Sequence, residues 1–179
     1  MDGPSDHDLM ARTAQGDAPA FRMLAQRHAG RALSLARRML GNEALAEEIV
    51  QDALLRVWTN APRWRPEAAF RTWLYRVVVN LCLNAKRRAP DLPLDAANHV
   101  ADAVPDAEAQ LKTRERDERL ATAVDTLPTR QRAAIVLTYQ EGLSNAEVAA
   151  VLDTSVSGVE TLLVRARRTL RATLDSDQT

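Results

Sequence analysis

Residues 70–88 read FRTWLYRVVVNLCLNAKRR, and this stretch decides how the rest of the chain is arranged. Arg offers forked donors to phosphate or guanine, and Asn pairs with adenine or with a phosphate oxygen. The pattern indicates a helix that docks on a helical bundle and turns a polar face towards an anion, although a surface helix whose arginines only keep it hydrated fits as well. The apolar face, at helical spacing, comprises Phe70, Trp73, Leu74, Val77, Val78, Leu81 and Cys82, and the polar face comprises Arg76, Asn80, Asn84 and Arg87.

The net charge of zero hides an uneven distribution along the 179 residues. Residues 1–88 are net basic, 89–128 are net acidic, and 129–179 are balanced. Two working domains joined by a solvated link account for this pattern. The N-terminus is acidic, no run of 18 apolar residues exists, and the lone Cys82 has no disulfide partner. These features predict a cytoplasmic protein in a reducing compartment.

The segment before residue 70 predicts three helices. Gly16 ends the first and Asp17 caps the second, which runs to about Leu40 with His28 in its apolar row as a structural histidine. Asn42 starts the third, whose polar face carries Glu47, Glu48, Gln51 and Asp52. A di-metal site would need Glu-x-x-His motifs, which are absent from the sequence. This face is therefore either a solvated acidic patch or a surface for docking another protein.

A loop with a basic and aromatic centre follows the third helix. It spans Asn60 to Ala69, and Arg63, Trp64 and Arg65 stand between its two prolines. An indole ring and guanidinium planes both accept the face of an unpaired base. Trp64 can equally be a plug that closes the bundle.

Residues 89–109 are rich in Ala, Asp and Pro and lack aromatic residues, so we expect a flexible linker there. Fully extended, such a segment reaches roughly 70 Å. It could therefore hold two domains on separate sites along one DNA molecule.

The second half of the chain predicts a helix-turn-helix domain. Helices are expected over 111–127, with Leu120 facing inward, and from Thr129 as its cap to Gly142, carrying Ile135, Val136 and Tyr139. Ser144 opens a capping box, and a turn at Asp153 leads into a long basic helix over 157–174. A short helix, a tight turn and a longer basic helix are the elements of a DNA-binding helix-turn-helix.

Taken together, the motifs resemble those of bacterial RNA polymerase sigma factors of the extracytoplasmic-function (ECF) subfamily, over roughly residues 5–174. AEEIVQDALLRVW (46–58) resembles the family's polymerase-binding helix, and FRTWLYRVVVN (70–80) resembles its promoter-melting helix. LPTRQRAAIVLTYQEGLSNAEVAAVL (127–152) resembles its region-four domain. The resemblance implies an all-α fold with region 2 over 5–88, a flexible acidic linker over 89–110 and region 4 over 111–174.

The resemblance also implies roles for individual residues. The clamp of core polymerase would be contacted by Glu48, Gln51 and Asp52. The minus-ten element, including a flipped-out base held by the loop, would be contacted by Arg63, Trp64, Arg65, Arg76, Asn80, Asn84 and Arg87. The minus-thirty-five element would be read by the helix that carries Ser157, Glu160, Thr161, Arg165, Arg168 and Arg171. Partners would be core RNA polymerase, promoter DNA and an anti-sigma factor, with no cofactor and no metal.

Two residues depart from the family pattern. Many members carry a basic-Ser-Arg run early in the recognition helix, where this chain has Glu160, Thr161 and Leu162. Asp153 occupies a turn position that usually holds Gly. Glu160 can accept a hydrogen bond from a cytosine amino group, so the departure bears on which upstream element is read.

Two other classes of protein, a ligand-sensing regulator and an enzyme, would make different demands on the sequence. A helix-turn-helix regulator with a ligand-sensing N-terminal bundle would bind DNA without polymerase. An enzyme would need a nucleophile with its base or a metal cluster, and three scattered histidines with one apolar Cys provide neither.

Overall fold

The computed structural model describes residues 3–88 and 119–176, and in both ranges the regular secondary structure is helical. The proposed linker over 89–110 and the start of the helix expected from residue 111 lie outside the described residues. The helices are α1 (Asp6–Thr13), α2 (Ala18–Leu40), α3 (Glu43–Asn60), α4 (Phe70–Arg88), α5 (described over 119–125), α6 (Thr129–Ile135), α7 (Asn145–Leu152) and α8 (Val156–Ser176).

Capping side chains fix where several helices begin. Ser5 forms a capping box with Asp8 at the start of α1. Ser144 forms the predicted capping box with Glu147 at the start of α7. Asp17 accepts a hydrogen bond from the Ala20 amide and so starts α2. Each cap satisfies amide groups that have no partner within the helix.

The first domain is a bundle in which α1 packs on α2, and α2, α3 and α4 pack on one another. Its core is filled by the apolar faces that the sequence predicted, among them Leu24, Leu35, Met39, Leu74 and Val78, all at most 1% exposed. The fully buried Cys82 belongs to this core, and burial raises the pKa of its thiol to about 12. The thiol is therefore protonated and shielded at neutral pH.

The second domain packs α6, α7 and α8 around a smaller core. Val148, Val159 and Ala166 are fully buried, and Ala149, at 7% exposure, is small where the two helices of the helix-turn-helix meet. Asp153 ends α7 in the left-handed conformation, with φ of 51°.

Some details of the sequence prediction were wrong. Leu120 was expected to face inward, yet it is 45% exposed. The helix from Thr129 continues into a π-helical turn over Val136–Gln140, on which Tyr139 is 56% exposed. The loop after α3 also starts later than expected, because Asn60 belongs to α3 and Ala61–Arg63 form a short 3-10 turn.

Within the two described ranges, no helix has the length and apolar character needed to cross a membrane.

Candidate nucleic-acid interface

Helix α4 presents the polar face that the sequence predicted. Arg76, Asn80, Asn84 and Arg87 are all exposed, and Arg87 donates a hydrogen bond to the Asn84 side chain. Basic residues also fill the last turn, where cations interact favourably with the helix dipole. The opposite side is anchored in the first domain, so the polar side chains project from a fixed support.

A cavity of about 580 Å³ opens at the N-terminal end of α4. It lies between the start of α1, Arg27 of α2 and the loop that precedes α4. Its lining residues are Gly3, Pro4, Ser5, Asp6, His7, Arg27, Trp64, Pro66, Ala68, Ala69 and Phe70. Aromatic rings and charged groups therefore meet in one concave site at the N-terminal end of α4.

Trp64 borders this cavity and also closes the bundle. Its ring centroid lies 6.5 Å from that of Phe70 and 5.8 Å from that of His7, and the residue is half-buried. Arg63 and Arg65, on either side of it, are exposed. A role in closing the bundle is therefore compatible with a role in holding a base, because the Trp64 side chain both packs on the core and lines the cavity.

The N-terminal wall of the cavity is fixed by Asp6. One carboxylate oxygen of Asp6 accepts from Arg27 at 2.6 Å, and the other lies 2.7 Å from Nε2 of His28. Arg27 also donates to the Pro4 carbonyl oxygen. His28 is buried against Phe70, with ring centroids 5.0 Å apart, which agrees with the structural role expected for it.

Helix α3 carries the acidic face. Glu48 and Gln51 are exposed, and Asp52 is partly exposed and pairs with Arg56 at 3.1 Å. The other side of α3 is buried through Ile49, Val50, Ala53 and Val57. The predicted docking face is therefore open to a partner.

The recognition helix α8 begins one residue earlier than predicted, at Val156. The candidate residues Ser157, Glu160, Thr161, Arg165, Arg168 and Arg171 are all exposed. Their neighbour Arg167 lies over the Tyr139 ring, 5.6 Å from its centroid, and donates to the Tyr139 hydroxyl. The cation–π contact gives the exposed Tyr139 ring a partner on α8.

The structure also brings together residues that the sequence analysis did not single out. Tyr75 and Val79 of α4 are 1% and 0% exposed although they lie outside its predicted apolar stripe. Helix α7 of the other domain packs on α4. The Tyr75 hydroxyl donates to Glu141 at 2.6 Å, and burial followed by that bond raises the Tyr75 pKa.

A buried cation links the domains at another point. Arg132 of α6, 5% exposed, donates to the Met39 carbonyl oxygen at the end of α2 at 3.2 Å. It also pairs with Asp125 at 3.1 Å. Burial lowers the pKa of Arg132, and the Asp125 carboxylate opposes that effect.

Comparison with known proteins accounts for both domains. Residues 24–90 match the family model for sigma-70 region 2, and residues 117–170 match the model for sigma-70 region 4. The RNA polymerase sigma factor NccH of Alcaligenes xylosoxydans xylosoxydans is 36% identical, over 99% of this chain and all of that protein. SigM of Mycobacterium tuberculosis, an ECF sigma factor, is 37% identical over 93% of this chain and 83% of its own length.

A solved structure shows the same architecture. CnrH of Cupriavidus metallidurans, in complex with the cytosolic domain of CnrY, matches with a TM-score of 0.71. The match has 33% identity and covers 97% of this chain and 99% of CnrH. The chain belongs to the ECF subfamily of RNA polymerase sigma factors, which recognise promoters and initiate transcription.

Proposed function

We propose that the surfaces described above divide the work of promoter recognition among α3, α4 with its adjacent cavity, and α8. The single observation that carries this assignment is the position of the cavity. Its lining includes Phe70, the first residue of α4, and the exposed Arg76 and Asn80 lie roughly 9 and 15 Å further along the axis of the same helix. A site that grips one strand and holds one displaced base needs both parts on one support.

The cavity suits an unpaired base of the minus-ten element. Trp64, His7 and Phe70 provide aromatic surface, and stacking on such rings contributes about 1–3 kcal/mol per base. Extruding a base from duplex DNA costs a few kcal/mol. Stacking therefore offsets much of that cost, and Arg63 and Arg65 supply charge for the flanking phosphates. Trapping the open state in this way is binding, so the protein acts without a catalytic group.

The acidic face of α3 suits a basic surface on core RNA polymerase. Glu48, Gln51 and Asp52 are presented by a helix whose other side is held in the core. Docking there leaves α4 and the cavity free for DNA.

Helix α8 suits the minus-thirty-five element. Residues near the N-terminus of a recognition helix reach base edges, which assigns Ser157, Glu160 and Thr161 to readout. Arg168 and Arg171 lie further along and meet phosphates. Glu160 would favour a cytosine amino group.

Relatives suggest the regulatory setting. The solved CnrH structure contains the cytosolic domain of CnrY, and we expect an anti-sigma factor to bind this chain as well. The protein would then act in the cytoplasm on a stress-response or signal-response regulon.

Run-off transcription with purified core polymerase on a genomic promoter library tests the proposal. The wild-type chain should direct transcripts from a limited set of promoters that share two spaced elements, and Trp64→Ala should reduce open-complex formation on them. Binding to promoters by the chain alone, with no transcripts in the presence of polymerase, would instead indicate a ligand-sensing helix-turn-helix regulator.

A further inference from the structure

Asp6, the first residue of α1, connects the N-terminal helix to two consecutive residues of α2. One of its carboxylate oxygens accepts a hydrogen bond from Arg27 at 2.6 Å, and the other lies 2.7 Å from Nε2 of His28. Arg27 also donates from both of its terminal nitrogens to the Pro4 carbonyl oxygen, at 3.2 and 3.1 Å. The chain that enters α1 is therefore held on α2 by polar contacts as well as by packing.

Through these contacts Asp6 supports two walls of the cavity that belong to different elements. His28 packs edge-on against Phe70, the first residue of α4, with ring centroids 5.0 Å apart. His7 follows Asp6 in α1, and its ring centroid lies 5.8 Å from that of Trp64. The Asp6 carboxylate thus links the histidine that packs on Phe70 to the helix that carries His7.

The folding of α1 depends on other residues. The capping box of Ser5 and Asp8 starts the helix, and Leu9 and Met10 are at most 1% exposed. These contacts remain when the Asp6 carboxylate is removed, so α1 should stay docked on α2 while its first turn gains freedom. A change at Asp6 therefore acts on the end of α1 that borders the cavity.

The aromatic rings that stack on a base have to be held in place while the base is bound. Ordering one mobile side chain on binding lowers the equilibrium constant roughly two- to tenfold. Rings that are already fixed in the free protein avoid this loss. A preformed cavity therefore holds an unpaired base more tightly than a mobile one does.

We propose that Asp6 is a positioning residue for promoter opening, which holds His7 and Phe70 on a common support and so keeps the cavity ready for an unpaired base of the minus-ten element. The inference rests on the proposed role of the cavity in trapping that base. It makes α1 a part of the melting machinery, and α1 precedes the residues 24–90 that match the region 2 family model. Asp6 acts through its neighbours, and no contact of its own with DNA is required.

Two substitutions of Asp6 and one matched control test this role. Asp6→Ala removes both contacts of the carboxylate, whereas Asp6→Asn keeps an acceptor for Arg27, so the alanine variant should be the more defective. Glu43→Ala is the control. Glu43 is likewise the first residue of its helix and pairs with an arginine of α2, Arg37, but it lies outside the lining of the cavity.

The measurement uses holoenzyme formed with the full chain, on a promoter found by the run-off screen. 2-Aminopurine, a fluorescent adenine analogue whose emission is quenched by stacking, replaces one base at a time in the non-template strand of the minus-ten element. The position at which Trp64→Ala raises the emission of the open complex marks the trapped base. Competition for core polymerase and filter binding to the promoter are measured for each variant alongside.

We expect Asp6→Ala to lower the equilibrium constant for opening roughly three- to tenfold, and Asp6→Asn to lower it less. Emission at the trapped position should rise for Asp6→Ala, because the base is stacked on its rings for a smaller fraction of the time. Polymerase competition and closed-complex formation should match the wild type for both variants, and Glu43→Ala should match it in every measurement.

Three results would overturn the inference. They are normal opening by Asp6→Ala, a loss of polymerase binding in proportion to the loss of opening, and an equal opening defect in Glu43→Ala. The second would show that Asp6 only stabilises the fold, and the third that any lost carboxylate has the same effect. If Asp6→Ala does not fold, Asp6→Asn decides by the same criteria.

Failure of the inference can be told apart from failure of the proposed function. If Trp64→Ala opens promoters normally and raises the emission at no position, the cavity does not hold a base, and the positioning role falls with it. If Trp64→Ala is defective while the Asp6 variants open promoters normally, the cavity keeps its role and only the role of Asp6 is wrong.

Discussion

Asp52 forms an ion pair with Arg56, which lies one turn further along α3. Exposed pairs at this spacing contribute about 0.3–0.5 kcal/mol, so the stability of the chain depends little on them. Asp52→Arg should therefore leave the helical content and melting temperature nearly unchanged and should clearly weaken competition for core polymerase. Asp175→Arg, an equal charge change at an exposed site in the other domain, is the control. Equal competition by both variants would remove Asp52 from the docking face.

Individual residues differ in how well the sequence alone predicted them. The exposure of Glu48, Gln51 and Asn80 followed from helical spacing, because one apolar stripe defines what faces away from it. The burial of Tyr75 did not follow, since its hydroxyl bonds to Glu141, 66 residues further along the chain. The ion pair of Asp153 with Arg76 was not predicted either. The sequence did mark Asp153 as unusual, because Gly is common at that position of the turn.

Capped helix ends give the protein an acid-sensitive stability. Hydrogen bonds from Ser5 lower the pKa of Asp8, and those from Ser144 lower the pKa of Glu147. Since the folded pKa values lie below the unfolded ones, the stabilisation is complete above about pH 4.5 and is lost as the pH falls through the folded values. Urea-unfolding midpoints followed by circular dichroism should fall between pH 5 and about pH 3.

Ser144→Ala tests the origin of this effect. At pH 7 the variant should be less stable by about 1 kcal/mol, the usual contribution of an N-cap. Its midpoint should fall less steeply with acid than that of the wild type, because Glu147 has lost the partners that favour its ionised form. If the midpoint of Ser144→Ala fell as steeply with acid as that of the wild type, the acid sensitivity would not come from the cap formed by Ser144 and Glu147.

The two basic helices should contribute to different steps. Asn80 lies mid-helix on a supported face, whereas Arg168 lies beyond the first turns of α8, where phosphate contacts prevail. Asn80→Ala should leave closed-complex formation nearly intact and reduce opening by about 1–3 kcal/mol if a base contact is lost. Arg168→Ala should weaken binding on all sequences alike and lower the salt slope by about one unit.

Permanganate footprinting of unpaired thymines, alongside filter binding, separates these steps. Arg171→Ala serves as a second phosphate-contact variant and should behave as Arg168→Ala does. Equal opening by wild type and Asn80→Ala at saturating holoenzyme would contradict the role of α4 in melting.

At the level of elements, local signals worked well and long-range ones did not. Asp17, Asn42 and Ser144 were identified as caps because a cap needs only its own neighbours in sequence. The π-helical turn over Val136–Gln140 has no such signal and was not predicted. Tyr75 and Val79 of α4 were missed because they lie off the single apolar stripe that helical spacing defines, and tertiary packing decides their burial.

The relation between the domains predicts how the cut protein behaves. Cleavage between residues 88 and 119 by limited proteolysis should yield two helical fragments, as the linker prediction states. Because the fragments share buried and charged contacts, we expect them to co-elute in size-exclusion chromatography at low salt and to separate at high salt. Separate elution at low salt would show that the contacts do not hold the domains together. Resistance to cleavage throughout the segment would contradict the linker prediction.

The placement of the tryptophans gives each domain its own spectroscopic signal. All three, Trp58, Trp64 and Trp73, lie in the first domain, whereas helices in both domains contribute to circular dichroism. Indole fluorescence therefore reports unfolding of the first domain alone. In urea at low salt the two signals should change together, and at high salt they should diverge, because coincident probes mark a single cooperative unit. Coincidence of the two curves at every salt concentration would mean that the chain unfolds as one unit even without its ionic contacts.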